Sequence, residues 1–195
     1  MGVELDVGQP LLLVAGDGEV VGDSPARRVE ILCDLPGLVV TWSRFGPYRN
    51  GASAHVHREH CDLFYVLHGE LTFLVGPERE ERTLPAGTLA LAPPLVVHGF
   101  RNASGEDLRY LNLHAPNGGF AAYLRGAAPG FDSFDPPEDG GRPVSDASIV
   151  PPGTEGPLVD RPEIRIEIRD EPAPPAGRLT CVYALDDGRV LEIRA

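Results

Sequence analysis

Histidines and a carboxylate recur in a pattern that could bind a metal. His55 and His57 are separated by one residue in a stretch that predicts a β-strand, and the two-residue period of a strand places both rings on one face. Asp62 opens the next predicted strand, and His98 lies on a later strand after two prolines. Imidazole and carboxylate together suit first-row divalent metals such as Fe, Mn, Ni, Cu or Zn. A His-x-His pair alone also occurs by chance on surface strands, so both interpretations stay open at this point.

Composition limits which other chemistry the chain can perform. It has 195 residues, a net charge of −12, and 17 basic residues that are all arginine. Without lysine, Schiff-base catalysis, a lysine general base and the Walker-type phosphate-binding lysine are excluded. An acidic chain without a basic run is also a poor nucleic-acid binder. A small molecule is therefore the expected partner.

The elements that must position these residues are short strands. β-rich runs alternate with turn clusters between residues 30 and 116, with little helix between them, which predicts an antiparallel sandwich or barrel. The length of the chain favours one domain over residues 1–195. The strand signals fall at 30–33, 38–43, 54–57, 62–67, 70–75, 88–92, 95–101 and 108–114.

The segments outside this core give further expectations. Residues 10–22 predict a hairpin, 117–127 a helix, and 129–158 a long ordered loop or lid, with a linker as the alternative. We expect residues 117–195 to form a C-terminal extension of helix, loop and β-hairpin, with the hairpin over 179–194 around an Asp-Asp-Gly turn. Ile164, Ile166 and Ile168 alternate with charged residues, so they predict a one-sided strand. A row of exposed isoleucines needs a covering surface, which favours a homodimer.

Two stretches carry a family resemblance. The stretch HVHREHCDLFYVLHGE, residues 55–70, resembles the first motif of the cupins, and GTLALAPPLVVHGFRN, residues 87–102, resembles the second. The two motifs stand in the expected order and at the separation of a small single-domain cupin. The resemblance covers roughly residues 38–116. It implies an all-β double-stranded β-helix, a jelly-roll barrel with its core over residues 30–116.

The resemblance also implies the metal ligands, which by motif matching are His55, His57, Asp62 and His98. Asp62 departs from the family pattern, where the acidic ligand is usually Glu. Because Asp is one methylene shorter, it either binds directly or stands behind a water. Leu95 occupies a position that is usually Gly, which changes the turn before His98 but not the ligand itself. We expect one divalent transition metal per chain.

The remaining histidines and cysteines predict structural roles. His60 is expected in a solvated turn, His68 at an exposed strand end, and His114 in the structure of the last barrel strand. Cys61 adjoins Asp62, so strand alternation points its thiol away from the metal and predicts a packed thiol. Three widely separated cysteines without a CxxC make a disulfide framework improbable. With no signal-peptide pattern or long apolar run, the expectation is a cytoplasmic protein without a membrane span.

Strand alternation from Asp62 and His98 also predicts what lines the pocket. Phe64 and Val66 share the inward face with Asp62, and Val96 and Phe100 share it with His98. None of these positions is arginine, so an apolar or aromatic small molecule is favoured over a sugar phosphate.

Three functions are consistent with this site. The first is a metal-dependent, dioxygenase-like oxidoreductase, in which Asp62 could also serve as general base. Its support includes residues 111–120, which resemble the barrel exit of quercetin-dioxygenase-like cupins. The alternatives are a metal-dependent isomerase or lyase, using the metal as a Lewis acid, and a non-enzymatic module that binds a metal or small ligand.

Overall fold

The computed structural model describes residues 9–173 and 179–195, and its architecture is almost entirely β-strand. Fifteen strands and one short α-helix are present in these two ranges. The strands are β1 (Leu11–Leu13), β2 (Glu19–Ser24), β3 (Arg27–Leu35), β4 (Leu38–Phe45), β5 (Cys61–His68), β6 (Glu70–Val75), β7 (Glu80–Pro85), β8 (Leu89–Ala92), β9 (His98–Arg101), β10 (Leu108–Ala115), β11 (Ser148–Val150), β12 (Pro157–Asp160), β13 (Arg165–Arg169), β14 (Thr180–Ala184) and β15 (Val190–Arg194), and the helix α1 is Phe120–Leu124.

Two antiparallel sheets form the barrel. The larger has the order β11-β8-β5-β10-β4-β3-β2, and the smaller has the order β7-β6-β9. Side chains from both sheets meet in one buried cluster that includes Phe64, Phe73 and Tyr110, so the barrel is filled by its own residues. The predicted double-stranded β-helix is confirmed.

Strand β5 lies at the centre of the molecule because both of its faces are covered. Phe64 and Val66 face the barrel interior, while Leu63 and Tyr65 belong to a second buried cluster on the outer side. A strand covered on both faces favours a continuous apolar run over alternation. Asp62 is the charged exception in this buried run, which is a reason to ask what the carboxylate does there.

A five-stranded sheet with the order β1-β14-β15-β13-β12 covers the outer face of the barrel. Ile166 of β13 and Ile164, which directly precedes that strand, are fully buried in the outer cluster, and Ile168 packs against the cluster. The isoleucine row is therefore covered within the chain, and it no longer argues for a dimer. The C-terminal hairpin is confirmed by the antiparallel pairing of β14 with β15.

The predicted hairpin over 10–22 is wrong. Strand β1 pairs in parallel with β14 of the outer sheet, and β2 pairs with β3 of the barrel. Local turn residues suggested that the two runs pair with each other. Strand β1 joins the outer sheet instead, because this position buries Leu13 in the outer cluster.

Other boundaries differ from the sequence-based expectation. Residues 54–57 make isolated bridges instead of a continuous strand. The sequence did not predict strand β7, because half of its six residues are charged and five of them are exposed. The expected loop over 129–158 contains β11, and the helix covers five residues because Gly119 and Gly126, both with positive φ, flank it. No helix in the described ranges is long and apolar enough to cross a membrane.

Candidate metal centre

The barrel brings the four predicted ligand residues together from three segments. Asp62 lies near the start of β5 and His98 begins β9. His55 pairs with His98 through two backbone hydrogen bonds, of 2.8 Å and 3.0 Å between N and O atoms. His57 follows two residues later, so its ring enters the same space. The chain thus assembles the cluster by pairing the 54–57 segment against β9.

The donor atoms of these residues converge on one point. The Nε2 atoms of His55 and His57 are 3.2 Å apart. Oδ2 of Asp62 lies 3.2 Å from Nε2 of His98 and 3.5 Å from Nε2 of His57. One ligand atom from each of the four residues lies within 4.8 Å of all the others. Three imidazoles and one carboxylate oxygen are a donor set that suits a first-row divalent metal.

Backbone carbonyls hold the three rings in the orientation that metal binding requires. Nδ1 of His55 donates to the carbonyl of Ser53 at 2.8 Å, and Nδ1 of His98 donates to the carbonyl of Val96 at 2.9 Å. Nδ1 of His57 donates to the carbonyl of Asp132. With the proton on Nδ1, each Nε2 presents a lone pair to the centre, as metal-binding histidines do. The residues therefore fit the implied metal.

Electrostatics favour the metal-binding protonation state. Burial lowers the pKa of His55 to about 4, aided by the neighbouring His98 and His57, so the ring is neutral at pH 7. Burial alone would raise the pKa of Asp62, but His114, His57 and His98 outweigh it and hold that pKa well below its usual value. Asp62 therefore stays ionised. Nδ2 of Asn112 donates to its other oxygen, Oδ1, which fixes the carboxylate.

Three residues make contacts around this centre that the sequence did not predict, and the first two are histidines. His60 is fully buried, so the prediction of a solvated turn residue is wrong, and His114 is buried as expected for a structural residue. Nε2 of His60 lies 2.8 Å from Nδ1 of His114. Burial lowers the pKa of His60 to about 4 and that of His114 to about 3. His57, His60 and His114 also form a second group of three nearby nitrogens.

The third residue is Asp132, in the segment between α1 and β11. Its carboxylate accepts hydrogen bonds from the backbone N–H groups of Arg58 and Glu59, at 3.0 Å and 2.8 Å, and from Nδ1 of His60 at 2.9 Å. Its carbonyl accepts from His57. One loop residue therefore binds four consecutive residues of the metal-site turn. A single sequence holds no signal for this contact, because about 75 residues separate the partners.

Replacing Asp132 with alanine is expected to weaken metal binding by about 10- to 100-fold, the range for partners that orient metal-binding histidines. The loop loses its side-chain anchors, so the carbonyl that orients His57 loses its fixed position. Competitive chelator titration measures the affinity. Asp135→Ala is the matched control, because it removes the same charge from the same loop and that carboxylate makes no hydrogen bond within the described residues. Equal affinities for the two variants would contradict this role.

A cavity of about 750 Å³ opens beside the cluster, and His55 lines it. Aromatic side chains form much of its wall, among them Phe45, Phe100, Phe120 and Phe131. Phe131 also packs on the ring of His57, with centroids 5.7 Å apart, so the loop after α1 covers the metal site.

The four predicted pocket residues divide into two groups. Phe100 lines the cavity. Phe64, Val66 and Val96 are fully buried in the barrel core and do not belong to the cavity wall. The predicted side chains do face the barrel interior. Those deep in the barrel pack against one another and therefore do not line a cavity.

Leu95 shows how the chain accommodates its departure from the motif. Its φ is 67°, in the left-handed region that favours glycine. Its backbone N–H donates to the carbonyl of His57 at 2.7 Å, and the next carbonyl, of Val96, orients His98. The turn that glycine would form is therefore kept with leucine, at a cost of about 1–2 kcal/mol.

The remaining expectations about histidines and cysteines agree with the structure. His68 is exposed at the end of β5, outside the cluster. Cys61 is buried, and its thiol donates to Oε1 of Glu163 at 3.3 Å, on the outer side of the barrel. All three cysteines are free.

Comparison with known proteins supports the class indicated by this barrel and site. Residues 42–114 match the family model of the cupin domain, the same region that carries the two motifs. The match supports placing the barrel in the cupin superfamily. Together with the histidine and aspartate cluster, it indicates a metal cofactor. None of the curated proteins matches the chain significantly.

Three solved structures illustrate the likeness. KdgF from a Halomonas species is 23% identical over 54% of this chain and 94% of its own, with a TM-score of 0.47. An uncharacterised protein with a double-stranded β-helix domain from Klebsiella pneumoniae is 26% identical over 49% and 81%, with a TM-score of 0.44. A predicted oxalate decarboxylase from Thermotoga maritima is 15% identical over 54% and 98%, with a TM-score of 0.47. Each is similar to about half of this chain.

Proposed function

We propose that this cupin holds one divalent transition metal at His55, His57, Asp62 and His98 and acts as a dioxygenase-like oxidoreductase on a small aromatic molecule. One observation carries the proposal. The three Nε2 atoms converge on a buried carboxylate while each Nδ1 is tied to a backbone carbonyl. A bound metal of this ligand type supplies Lewis-acid or redox chemistry.

The protein contributes a site for the substrate next to that centre. His55 belongs both to the cluster and to the cavity wall, so a molecule in the cavity lies beside the metal ligands. The aromatic side chains of the wall are tilted to one another and offer apolar faces on which a bound ring can pack. Phe120 and Phe131, with ring centroids 5.1 Å apart, form the part contributed by the segment after the barrel.

We propose Asp62 as a ligand and not as a general base. Its Oδ1 accepts from Asn112, its Oδ2 faces His57 and His98, and the residue does not line the cavity. We also propose, from the sequence alone, the quercetin-dioxygenase-like subtype, a cytoplasmic location and a homodimer. The isoleucine row no longer supports the dimer, because Ile164 and Ile166 are covered within the chain.

Oxygen consumption tests the proposed activity. The protein is loaded separately with Fe(II), Mn(II), Ni(II) or Cu(II) and offered a panel of catechols, flavonols and diketones in an oxygen-electrode cell. We expect substrate-dependent oxygen uptake with at least one metal, and uptake at background level for the metal-free protein. If no combination consumes oxygen, the oxygenase proposal fails. Substrate conversion without oxygen would then favour the isomerase or lyase, and binding without conversion the non-enzymatic module.

A further inference from the structure

The cavity beside the metal site contains two arginines that the sequence did not place there. Arg27 begins β3 and Arg49 follows β4, and both line the wall together with His55. The four inward positions named from the sequence, Phe64, Val66, Val96 and Phe100, contain no arginine, which is why the sequence favoured a mostly apolar pocket. These two reach the cavity from a strand start and a loop, at its rim.

Neither guanidinium forms an ion pair with a carboxylate of the described residues, and Nε of Arg27 is buried without a hydrogen-bond partner. Ten other described arginines pair with Asp or Glu, while Arg58, Arg79, Arg109 and Arg161 do not pair with a described carboxylate. Arg27 differs from those four because its Nε is buried without a hydrogen-bond partner. The chain has 29 acidic residues for 17 arginines. A half-buried arginine left unpaired amid this acidic excess is available for an external anion, because burying an unpaired polar group is costly.

The ring of Phe45 holds Arg27 in place. The two residues lie opposite each other in the pairing of β3 with β4, and the guanidinium carbon is 5.6 Å from the ring centroid. Stacking on an aromatic ring reduces the freedom of the planar guanidinium. A planar fork of N–H donors held in this way matches a carboxylate.

We propose that the cavity binds a small aromatic carboxylate, with the carboxylate at Arg27 and Arg49 and the ring between the aromatic side chains. Among the charged side chains of the wall, Asp135 offsets one of the two arginines, so the wall by itself matches a monoanion. A phosphate dianion is disfavoured by that balance and by the lack of any lysine. The volume of about 750 Å³ accommodates such a ligand.

This inference deepens the proposed function and rests on it for the placement of the substrate ring near the metal. It changes the expected substrate from an apolar molecule to one with an anionic end. Recognition of the carboxylate by the arginines does not depend on turnover, so binding and activity can be tested separately.

Isothermal titration calorimetry on the metal-loaded full chain provides the test. Each aromatic carboxylate is paired with its primary amide, which has nearly the same shape but no charge: benzoate with benzamide, phenylacetate with phenylacetamide, and 3,4-dihydroxybenzoate with 3,4-dihydroxybenzamide. We expect at least one carboxylate to bind about 10-fold or more tightly than its amide. Inorganic phosphate, used as a competitor, is expected not to displace it at equal concentration.

Variants of the two arginines test whether they cause the preference for the carboxylate. Arg27→Gln is expected to weaken the preferred carboxylate by about 10- to 100-fold and to leave the amide unchanged. Arg49→Gln, at an exposed position, should fold normally and show a smaller loss of the same kind. Arg79→Gln is the matched control, because Arg79 is exposed, forms no ion pair among the described residues and lies outside the cavity.

The proposal is overturned if every carboxylate binds no more tightly than its amide, if phosphate competes as well as the carboxylate, or if Arg27→Gln and Arg49→Gln weaken binding no more than Arg79→Gln. A carboxylate preference without oxygen consumption would uphold this proposal while the oxygenase proposal fails.

Discussion

Replacing His57 with alanine is expected to abolish stoichiometric metal binding while the barrel stays folded. His57 lies at the centre of the cluster, since its Nε2 is close to both His55 and Asp62. Loss of this ligand should reduce the affinity by more than about 100-fold, beyond the effect of losing a partner that only orients a ligand. Metal analysis after dialysis, together with circular dichroism, measures both quantities.

The fold should survive this change because the barrel core consists of apolar side chains and does not include the metal ligands. His68→Ala is the matched control, since it removes a histidine from the exposed end of β5 and should leave one metal per chain. If His57→Ala keeps its metal at wild-type affinity, His57 is not a ligand.

Replacing Phe64 with aspartate is expected to prevent folding altogether. Phe64 is fully buried, and its ring lies 5.0 Å from the ring of Phe100 and 5.9 Å from that of Phe73. An unpaired charge at this position costs several kcal/mol, and the lost aromatic packing adds about 3–5 kcal/mol. The sum is comparable to the whole stability of a typical domain, about 5–15 kcal/mol. Circular dichroism and urea unfolding measure the outcome.

Phe64→Leu keeps an apolar side chain and is expected to remain folded with a modest loss of stability. The sequence placed Phe64 in the pocket lining, and from that position a charge would spoil ligand binding and spare the metal. A folded Phe64→Asp protein that binds metal but no ligand would support that earlier interpretation and contradict the packing described here.

The sequence predicted the parts of the site that lie on regular strands. Strand alternation placed Asp62 and Phe64 on one face, and the two motifs pointed to His55, His57 and His98, which the fold brings together. Strand period explains the placement of Asp62 and Phe64, because side-chain direction follows from it. The histidines were found through the motifs, since His55 makes only an isolated bridge and His57 lies outside any strand. The hydrogen bond that Asp62 accepts from Asn112 of β10 could not be predicted from the segment around Asp62.

Contacts between distant loops escaped prediction. Asp132 and Arg27 lie outside the metal-site turn in the sequence, and no periodic pattern connects them to the site. The role of Asp132 depends on where the segment after α1 returns to the barrel. The role proposed for Arg27 depends on the absence of a nearby carboxylate among the described residues, which only the fold shows. Similarly, β1 joins the outer sheet because Leu13 is buried there, although its neighbouring turn residues suggested a local hairpin.

X-ray absorption spectroscopy of the metal-loaded protein, with metal analysis on the same sample, tests the central claim most directly. We predict one metal per chain, with three imidazole nitrogens and one carboxylate oxygen at about 2.0–2.2 Å, and loss of this spectrum in His57→Ala. A metal bound by two imidazoles and unaffected by replacement of His55 or His98, as expected for a site between His60 and His114, would contradict the four-residue site. A spectrum with three imidazoles and no carboxylate would remove Asp62 from it.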